Sequence, residues 1–267
     1  MKEAFFQQSF WMVLIGLAAY DFLRSAVLTA SACLFAKKLR WSQKRQIYKI
    51  PSAPGQLRQE LQANFLTLIL DVLLFAGIFK YFAPQLGEVT PLRFFLTFWF
   101  VFIFFEIWFY FTHRLLHHPK LYFIHRQHHV AKVATPLSAL SFSGLERLIQ
   151  TTGALIIPLW LGQFFGFMCL EGILVYRFVN YVFNIVGHSN IEIFPEGTAR
   201  TWKGKLFGGN SFHSLHHARY NGHYGLFTTL LDRWLNTYFE DFPEVQSRAA
   251  RGQGLEKLHE RLSSKSK

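Results

Sequence analysis

The chain has 267 residues, of which 51% are hydrophobic and 18% aromatic, with 31 phenylalanines and a formal net charge of +12. That aromatic load exceeds what a soluble domain of this length carries and points to a bilayer, while a mean hydropathy of only +0.17 requires a substantial polar part beside the apolar spans. The basic residues gather next to hydrophobic segments, which fits a membrane surface and a positive-inside topology and excludes a soluble nucleic-acid binder; Cys33 and Cys169 both sit in apolar runs, leaving neither a disulfide framework nor a thiolate cluster.

Ser9 to Phe35 reads as the first span, interrupted by Asp21 and Arg24, which stand i,i+3 and pair on one helical face. Ala30-Ser31-Ala32 has the form of a signal-peptidase site, but the charges inside the apolar core and the basic loop after it favour a retained helix. Residues 37 to 60 set Lys37, Lys38, Arg40, Lys44, Arg45, Lys49 and Arg58 against the single acid Glu60, so this loop is expected on the cytoplasmic side. Leu61 to Pro84 is a second span, Gln85 to Pro91 carries no Lys or Arg, and Phe94 to about Tyr110 is a third that returns the chain to the cytoplasm before His113. Pro119 should end that helix. Leu148 to about Tyr181 allows two more passes that turn near Gly162-Gln163, and everything from Ile191 onward is too polar to span.

The expected fold is therefore an all-α integral membrane protein with about five membrane helices, a four-helix core plus the N-terminal span, under a helical cytosolic cap. Three regions follow: residues 1–92 with the first membrane helices and the basic loop, 93–240 as the catalytic domain, and 241–267 as a basic polar tail.

Nine of the twelve histidines fall into three clusters, His113-Arg-Leu-Leu-His117-His118, His125-Arg-Gln-His128-His129 and His213-Ser-Leu-His216-His217, with His188 alone before the last. Residues three and four apart share a helical face, so each cluster aims several imidazoles at a common point. Nine ligands, His113, His117, His125, His128, His129, His188, His213, His216 and His217, exceed what one ion uses, and a two-metal centre is the economical reading. Imidazole-rich, carboxylate-poor sets suit iron, zinc or copper, and their number favours a redox-active pair; bis-imidazole haem would instead need single mid-span histidines.

Glu106, Tyr110, His113 and His117 follow at intervals of four, three and four, a helical stripe leading into the clusters, and Glu106 is expected to bond a ligating imidazole or a group beside one. Arg177, Asn180, Asn184 and His188 form a second stripe. His118 is offset from its cluster's face and His259 lies in an amphipathic stretch with Leu255, Leu258 and Leu262, so both are read as surface residues; His223 stays open as a support for the site.

These motifs together resemble the fatty acid hydroxylase and sterol desaturase superfamily of membrane di-iron oxygenases. The resemblance runs from about Phe95 to Tyr238 and rests on the Glu106-Tyr110-His113-His117 stripe, His125-x-x-His128-His129 with Thr135-Pro136-Leu137-Ser138, Gly187-His188-Ser189, and His213-x-x-His216-His217 with Tyr224-Gly225 and Asp232-Arg233. It implies two irons held by four helices under a cytosolic cap, a sterol-like or long-chain acyl substrate entering from the bilayer, and dioxygen as oxidant. It also implies two electrons from a b-type cytochrome or ferredoxin, supplied by an NAD(P)H reductase, in a bacterial inner membrane or an endoplasmic reticulum. Glu106, Tyr110, Asn184 and His223 are the candidate residues around the reaction. The product would be an alcohol or an alkene.

The chain departs from this pattern at Ser143-Gly144, where relatives often have His-Pro, at His223 before Tyr224-Gly225, and at Leu231 and Asn236. One reading is that His223 offsets the missing histidine. A metal-binding or transport protein, or a degraded member of the same family, would use the same histidines without oxygen chemistry. No GxGxxG or ferredoxin-like cysteine set is present, so reducing power must come from a partner.

Overall fold

The computed structural model describes residues 10–262. Helix α1 (Phe10–Lys38) ends on Lys37 and Lys38, cations that complement its C-terminal dipole. Helix α2 (Gln56–Phe82) follows the basic loop, and α3 (Pro91–Leu116) starts with Pro91 behind Thr90, whose hydroxyl accepts the Arg93 N–H at 3.2 Å. Helix α4 (Gly144–Thr151) passes through a π turn at Thr152–Ile156 into α5 (Ile157–Phe165). Then come α6 (Leu170–Gly187), α7 (Gly209–Arg219) and α8 (Phe242–Ala250), with short helical turns between them.

Four segments, Trp11–Lys38, Gln56–Gln85, Pro91–Leu116 and Gly144–Phe165, are long and apolar enough to cross a membrane. They expose large apolar side chains outward, among them Trp11, Phe65, Phe95 and Ile103, a surface that only lipid can cover without aggregation. The protein is an all-α membrane protein. The fifth expected pass falls on α6, which is not among those four segments; it carries Arg177, Asn180 and Asn184 and packs against both α3 and α1. Gly172 permits the α3 contact, because a Cβ there would lie 2.7 Å from that of Thr97. The turn before α6 lies not at Gly162-Gln163 but at Gly166, where a positive φ of 64° and the bond from its N–H to the Gly162 carbonyl end the helix.

Two sets of ion pairs lie inside the bundle. Asp21 meets Arg24 at 2.9 Å, as the i,i+3 spacing predicts, and also Arg177 at 3.3 Å. Arg177 thus ties α6 to α1. The Arg147 guanidinium grips both oxygens of Asp71, joining α4 to α2.

One end of the bundle carries the cap. The basic loop docks on it through Ile47 N–H to the Asn190 carbonyl at 3.0 Å and Leu255 N–H to the Ile47 carbonyl at 2.7 Å, so loop and histidine region share one side. The opposite end is closed by Gly87 N–H on the Met168 carbonyl at 2.9 Å. Residues 241–262, read in sequence as a polar tail, are folded into the cap core: Phe242, Val245, Ala249 and Leu255 pack with Ile47, Tyr48, Phe212 and Leu215. Arg219 and Asp241 clasp at 2.7 and 2.9 Å beneath them. Leu255, Leu258 and Leu262 mark the inward face of a segment without regular helix.

Removing one partner of a buried ion pair leaves a bare charge. Asp71→Ala should lower stability by about 3–5 kcal/mol, and adding Arg147→Met should recover most of that loss. Thermal melting in detergent checks both.

Candidate metal centre

Helix α3 carries His113 at the level where it leaves the apolar span, and His117 caps its end. The chain breaks at Pro119 and restarts in a turn at Tyr122–His125 and a 3-10 turn at His128–Val130, which swing the second cluster back over the first. His188 caps α6, and α7 lays His213, His216 and His217 across the same point. The nine imidazoles sort into two groups: His113, His117, His125, His129 and His216, and His128, His188, His213 and His217. Within each group the ligand atoms lie within 4.8 Å of one another. Nε2 faces Nε2 at 3.1 Å for His117–His129 and His129–His216, at 2.9 Å for His188–His213 and at 3.1 Å for His213–His217.

The outer nitrogens show why these rings point inward. Nδ1 of His113 lies 2.8 Å from the Tyr224 carbonyl, that of His188 2.7 Å from the Asn184 carbonyl, that of His216 2.8 Å from the Gly222 carbonyl and that of His217 2.9 Å from the Ala131 carbonyl. A carbonyl only accepts, so each of these nitrogens carries the proton and its Nε2 presents a lone pair. His125 Nδ1 meets the buried Glu146 carboxylate at 2.5 Å. Nε2 of His113 and of His125 are buried without a partner among the described residues. Lone pairs crowded on lone pairs repel unless a cation lies between them, and this donor set fits two imidazole-bound metal ions.

Burial supports the same protonation state. All nine rings are buried except His117, which is half-buried. Desolvation pushes His188 down to about 4 and His117 to about 2, the latter helped by neighbouring His216, and holds His125, His128, His129, His213, His216 and His217 well below the usual range. At neutral pH these rings are ready to ligate with no proton to displace.

The loop 222–228 supplies two of the orienting carbonyls and is itself held by carboxylates. Asp232 accepts the N–H groups of Tyr224 and Gly225 at 2.8 and 2.7 Å, and Glu106 accepts those of Phe227 and Thr228 at 3.3 and 2.9 Å. Glu106, expected on an imidazole or beside one, therefore reaches the histidines only through this loop. Tyr110 bonds Thr237 at 2.9 Å, and Thr237 in turn donates to Asp232 at 2.6 Å, so its hydroxyl braces the same loop. Gly222 sits at φ 134°, a conformation closed to side-chain-bearing residues, and this aims its carbonyl at His216.

Asn184 points its amide back to Asn180 at 3.1 Å and serves the centre with its carbonyl. His223 is not brought to the metal groups: its Nδ1 bonds the Phe212 carbonyl and its Nε2 accepts the Phe239 N–H, both at 2.9 Å, while its ring stacks on Phe212. With both nitrogens used by backbone it cannot replace a missing ligand. His118 and His259 are exposed, as expected.

Glu146 escaped the sequence reading, yet Ser143-x-x-Glu146 has the spacing of a capping box. Ser143 does cap α4, accepting the Glu146 N–H at 3.2 Å and donating to the Ile124 carbonyl at 2.7 Å. The Glu146 side chain is freed to orient His125. Ser143-Gly144 therefore marks a helix start that places this carboxylate.

Beside His188 and His213 lies an apolar groove of about 400 Å³, walled by Phe183, Ile193, Phe194, Phe207 and Phe227. The second metal group thus faces a hydrocarbon-lined space at the junction of bundle and cap.

Fold and centre together define a membrane protein with a paired polyhistidine site. The family model for fatty acid hydroxylase matches residues 98–237, and the chain belongs to that family. Similar proteins include the very-long-chain aldehyde decarbonylase GL1-7 of Oryza sativa subsp. japonica, 30% identical over 55% of this chain and 24% of its own length. The Delta(7)-sterol 5(6)-desaturase erg3C of Aspergillus fumigatus is 28% identical over 78% of this chain and 68% of its own. The Delta(7)-sterol 5(6)-desaturase ERG3 of Saccharomyces cerevisiae is 30% identical over 52% of this chain and 35% of its own. The match thus spans about a quarter of the length of the decarbonylase. No solved structure matches significantly.

Glu146→Ala should weaken metal binding about 10- to 100-fold, as loss of an outer hydrogen-bond partner does, whereas His223→Ala should keep the metal-to-protein ratio. The latter should still lower stability by about 1–3 kcal/mol for each backbone group it orphans; metal analysis and melting curves separate the two effects. Because the folded imidazoles titrate below the usual 6.5, the unfolded chain binds more protons between about 4 and 6.5. The metal-free protein should therefore be most stable above pH 6.5 and melt at progressively lower temperature as the pH falls toward 4.

Proposed function

We propose that this chain is a membrane-bound, non-haem di-iron oxygenase that hydroxylates or desaturates a lipid, with a sterol-like or long-chain acyl substrate. The observation that carries this reading is the pair of buried groups of neutral imidazoles with inward Nε2 lone pairs, set against an apolar groove. His113, His117, His125, His129 and His216 would hold one iron and His128, His188, His213 and His217 the other. The bound irons would supply activation of dioxygen for attack on an unactivated C–H bond.

The protein's own residues do the rest. Carbonyls of Asn184, Gly222, Tyr224 and Ala131, with Glu146, keep the ring protons on the outer nitrogens and hold the ligands in place before any metal arrives. Phenylalanine walls of the groove bind the hydrocarbon and exclude water from the reacting carbon. The substrate comes from the bilayer. Electrons come from a separate donor, a b-type cytochrome or ferredoxin served by an NAD(P)H reductase, docking on the side of the basic loop, which by the positive-inside rule is cytoplasmic. A bacterial inner membrane and an endoplasmic reticulum both satisfy this orientation.

Detergent-purified parent protein should carry about two irons per chain, and His128→Ala should lose metal and reduce product by more than about 100-fold. Lipid extracts of cells making the parent should contain an alcohol or alkene absent from cells making His128→Ala. One non-redox ion per chain, or full activity in the variant, would move the protein to a metal-binding role.

A further inference from the structure

Depth along α3 can be read from what touches it. The Tyr224 carbonyl meets His113, the Thr237 hydroxyl meets Tyr110, the Thr228 N–H reaches Glu106, and the Phe227 ring stacks on Phe102 at 6.0 Å. At a rise of 1.5 Å per residue, Glu106 and Phe102 lie about 10 and about 16 Å down the helix from His113. The outward side of α3 stays apolar past that level, with Ile103, Ile107, Phe111 and Leu115 all exposed. The chain at 227–228 therefore hangs from the cap to a depth where acyl chains surround the bundle.

A second segment hangs with it. Phe207 pairs with Thr228 in an antiparallel bridge, Thr229 N–H donates to the Leu206 carbonyl at 3.0 Å, and Gly208 N–H donates to the Phe227 carbonyl at 2.9 Å. Two short helical turns, Trp202–Leu206 and Leu230–Trp234, are thereby held next to one another as a foot beneath the cap. Glu106 accepts the N–H groups of Phe227 and Thr228, so the bridging backbone finds its partners within the protein, as irregular chain at membrane depth requires.

The side chains of the foot suit the boundary between headgroups and hydrocarbon. Trp202 and Trp234 are 70% and 76% exposed, and Leu230 and Phe207 are exposed on the same two segments. Lys203 and Lys205 are exposed as well, and no ion pair among the described residues uses them. Between residues 197 and 239 the only acid is Asp232, which is fully buried. Indole rings settle at that boundary with the ring in apolar surroundings and the N–H at an acceptor, and lysine stems lie along apolar surface while the ammonium reaches outward. A soluble protein partner would have to enter the leaflet to meet this face.

We infer that residues 202–207 and 230–234 form a membrane-inserted foot that binds anionic phospholipid. Trp202, Leu230 and Trp234 enter the acyl region, and Lys203 and Lys205 hold headgroup phosphates. Phe207 and Phe227 belong both to the foot and to the wall of the apolar groove, so the groove borders the leaflet and not water. Use of that border as a substrate entrance rests on the oxygenase reading; insertion of the foot does not, since it needs neither metal nor turnover.

The test is tryptophan fluorescence of the full chain in nanodiscs, each residue's contribution being the difference between the parent and Trp202→Phe or Trp234→Phe. Both variants should melt near the parent temperature, as exposed positions allow. In phosphatidylcholine brominated on the upper acyl chain both contributions should fall about threefold or more, while aqueous acrylamide should leave them nearly unchanged. Brominated phosphatidylglycerol diluted in unbrominated phosphatidylcholine should quench Trp202 about twice as strongly as brominated phosphatidylcholine at the same mole fraction, and the double variant Lys203→Gln, Lys205→Gln should lose that excess. Contributions quenched by acrylamide and not by brominated lipid would put the foot in water, open to a protein partner, and overturn the inference. Equal quenching by the two brominated lipids would overturn the anionic assignment.

Discussion

The structure depends on one interaction made by five of the nine rings, an imidazole Nδ1–H given to an oxygen outside the cluster so that Nε2 is left bare inside it. Histidine clusters do not point inward by themselves, since an unassisted neutral ring has two tautomers and turns toward any acceptor. Here the acceptors are mostly backbone carbonyls: Tyr224 and Gly222 in a loop and Ala131 after a 3-10 turn, with Asn184 in the last turn of α6, whose carbonyl also accepts the His188 N–H. That explains why so much of the cap is turn and short helix. Regular helix would have used those carbonyls itself.

Membrane and cap are coupled through the same device. Glu106, on a spanning helix, holds the loop that orients His113 and His216, and Asp232 grips that loop from the other side. The Asp71–Arg147 pair fixes α4 against α2, and α4 presents Glu146 to His125. Charges that would be liabilities in lipid are thereby used to position the centre.

Much of this was legible in the sequence because the signals were periodic. Four long apolar runs marked the candidate spans, and the three- and four-residue histidine spacings, with His188 added from its own helical stripe, marked the nine imidazoles that the fold sorts into two groups. What escaped was fixed by tertiary contacts that leave no period. Glu106 shares the histidine stripe but bonds backbone N–H groups, because the loop 225–228 is folded over it. His223 looks like a ligand in a histidine-rich chain, yet its left-handed φ of 55° turns its ring between Phe212 and Phe239. Residues 241–262 are polar enough to read as a tail, and only the packing of Phe242, Val245 and Leu255 on Phe212 reveals a core. Glu146 was hidden behind a spacing whose ordinary meaning is a helix cap.

The central claim is that the nine imidazoles form two adjacent metal positions, not one shared site. Anomalous diffraction at the iron edge from crystals of the purified protein tests this most directly. The account predicts two peaks, one enclosed by His113, His117, His125, His129 and His216 and the other by His128, His188, His213 and His217. A single peak between the groups, or none in protein purified with iron supplied, would contradict it.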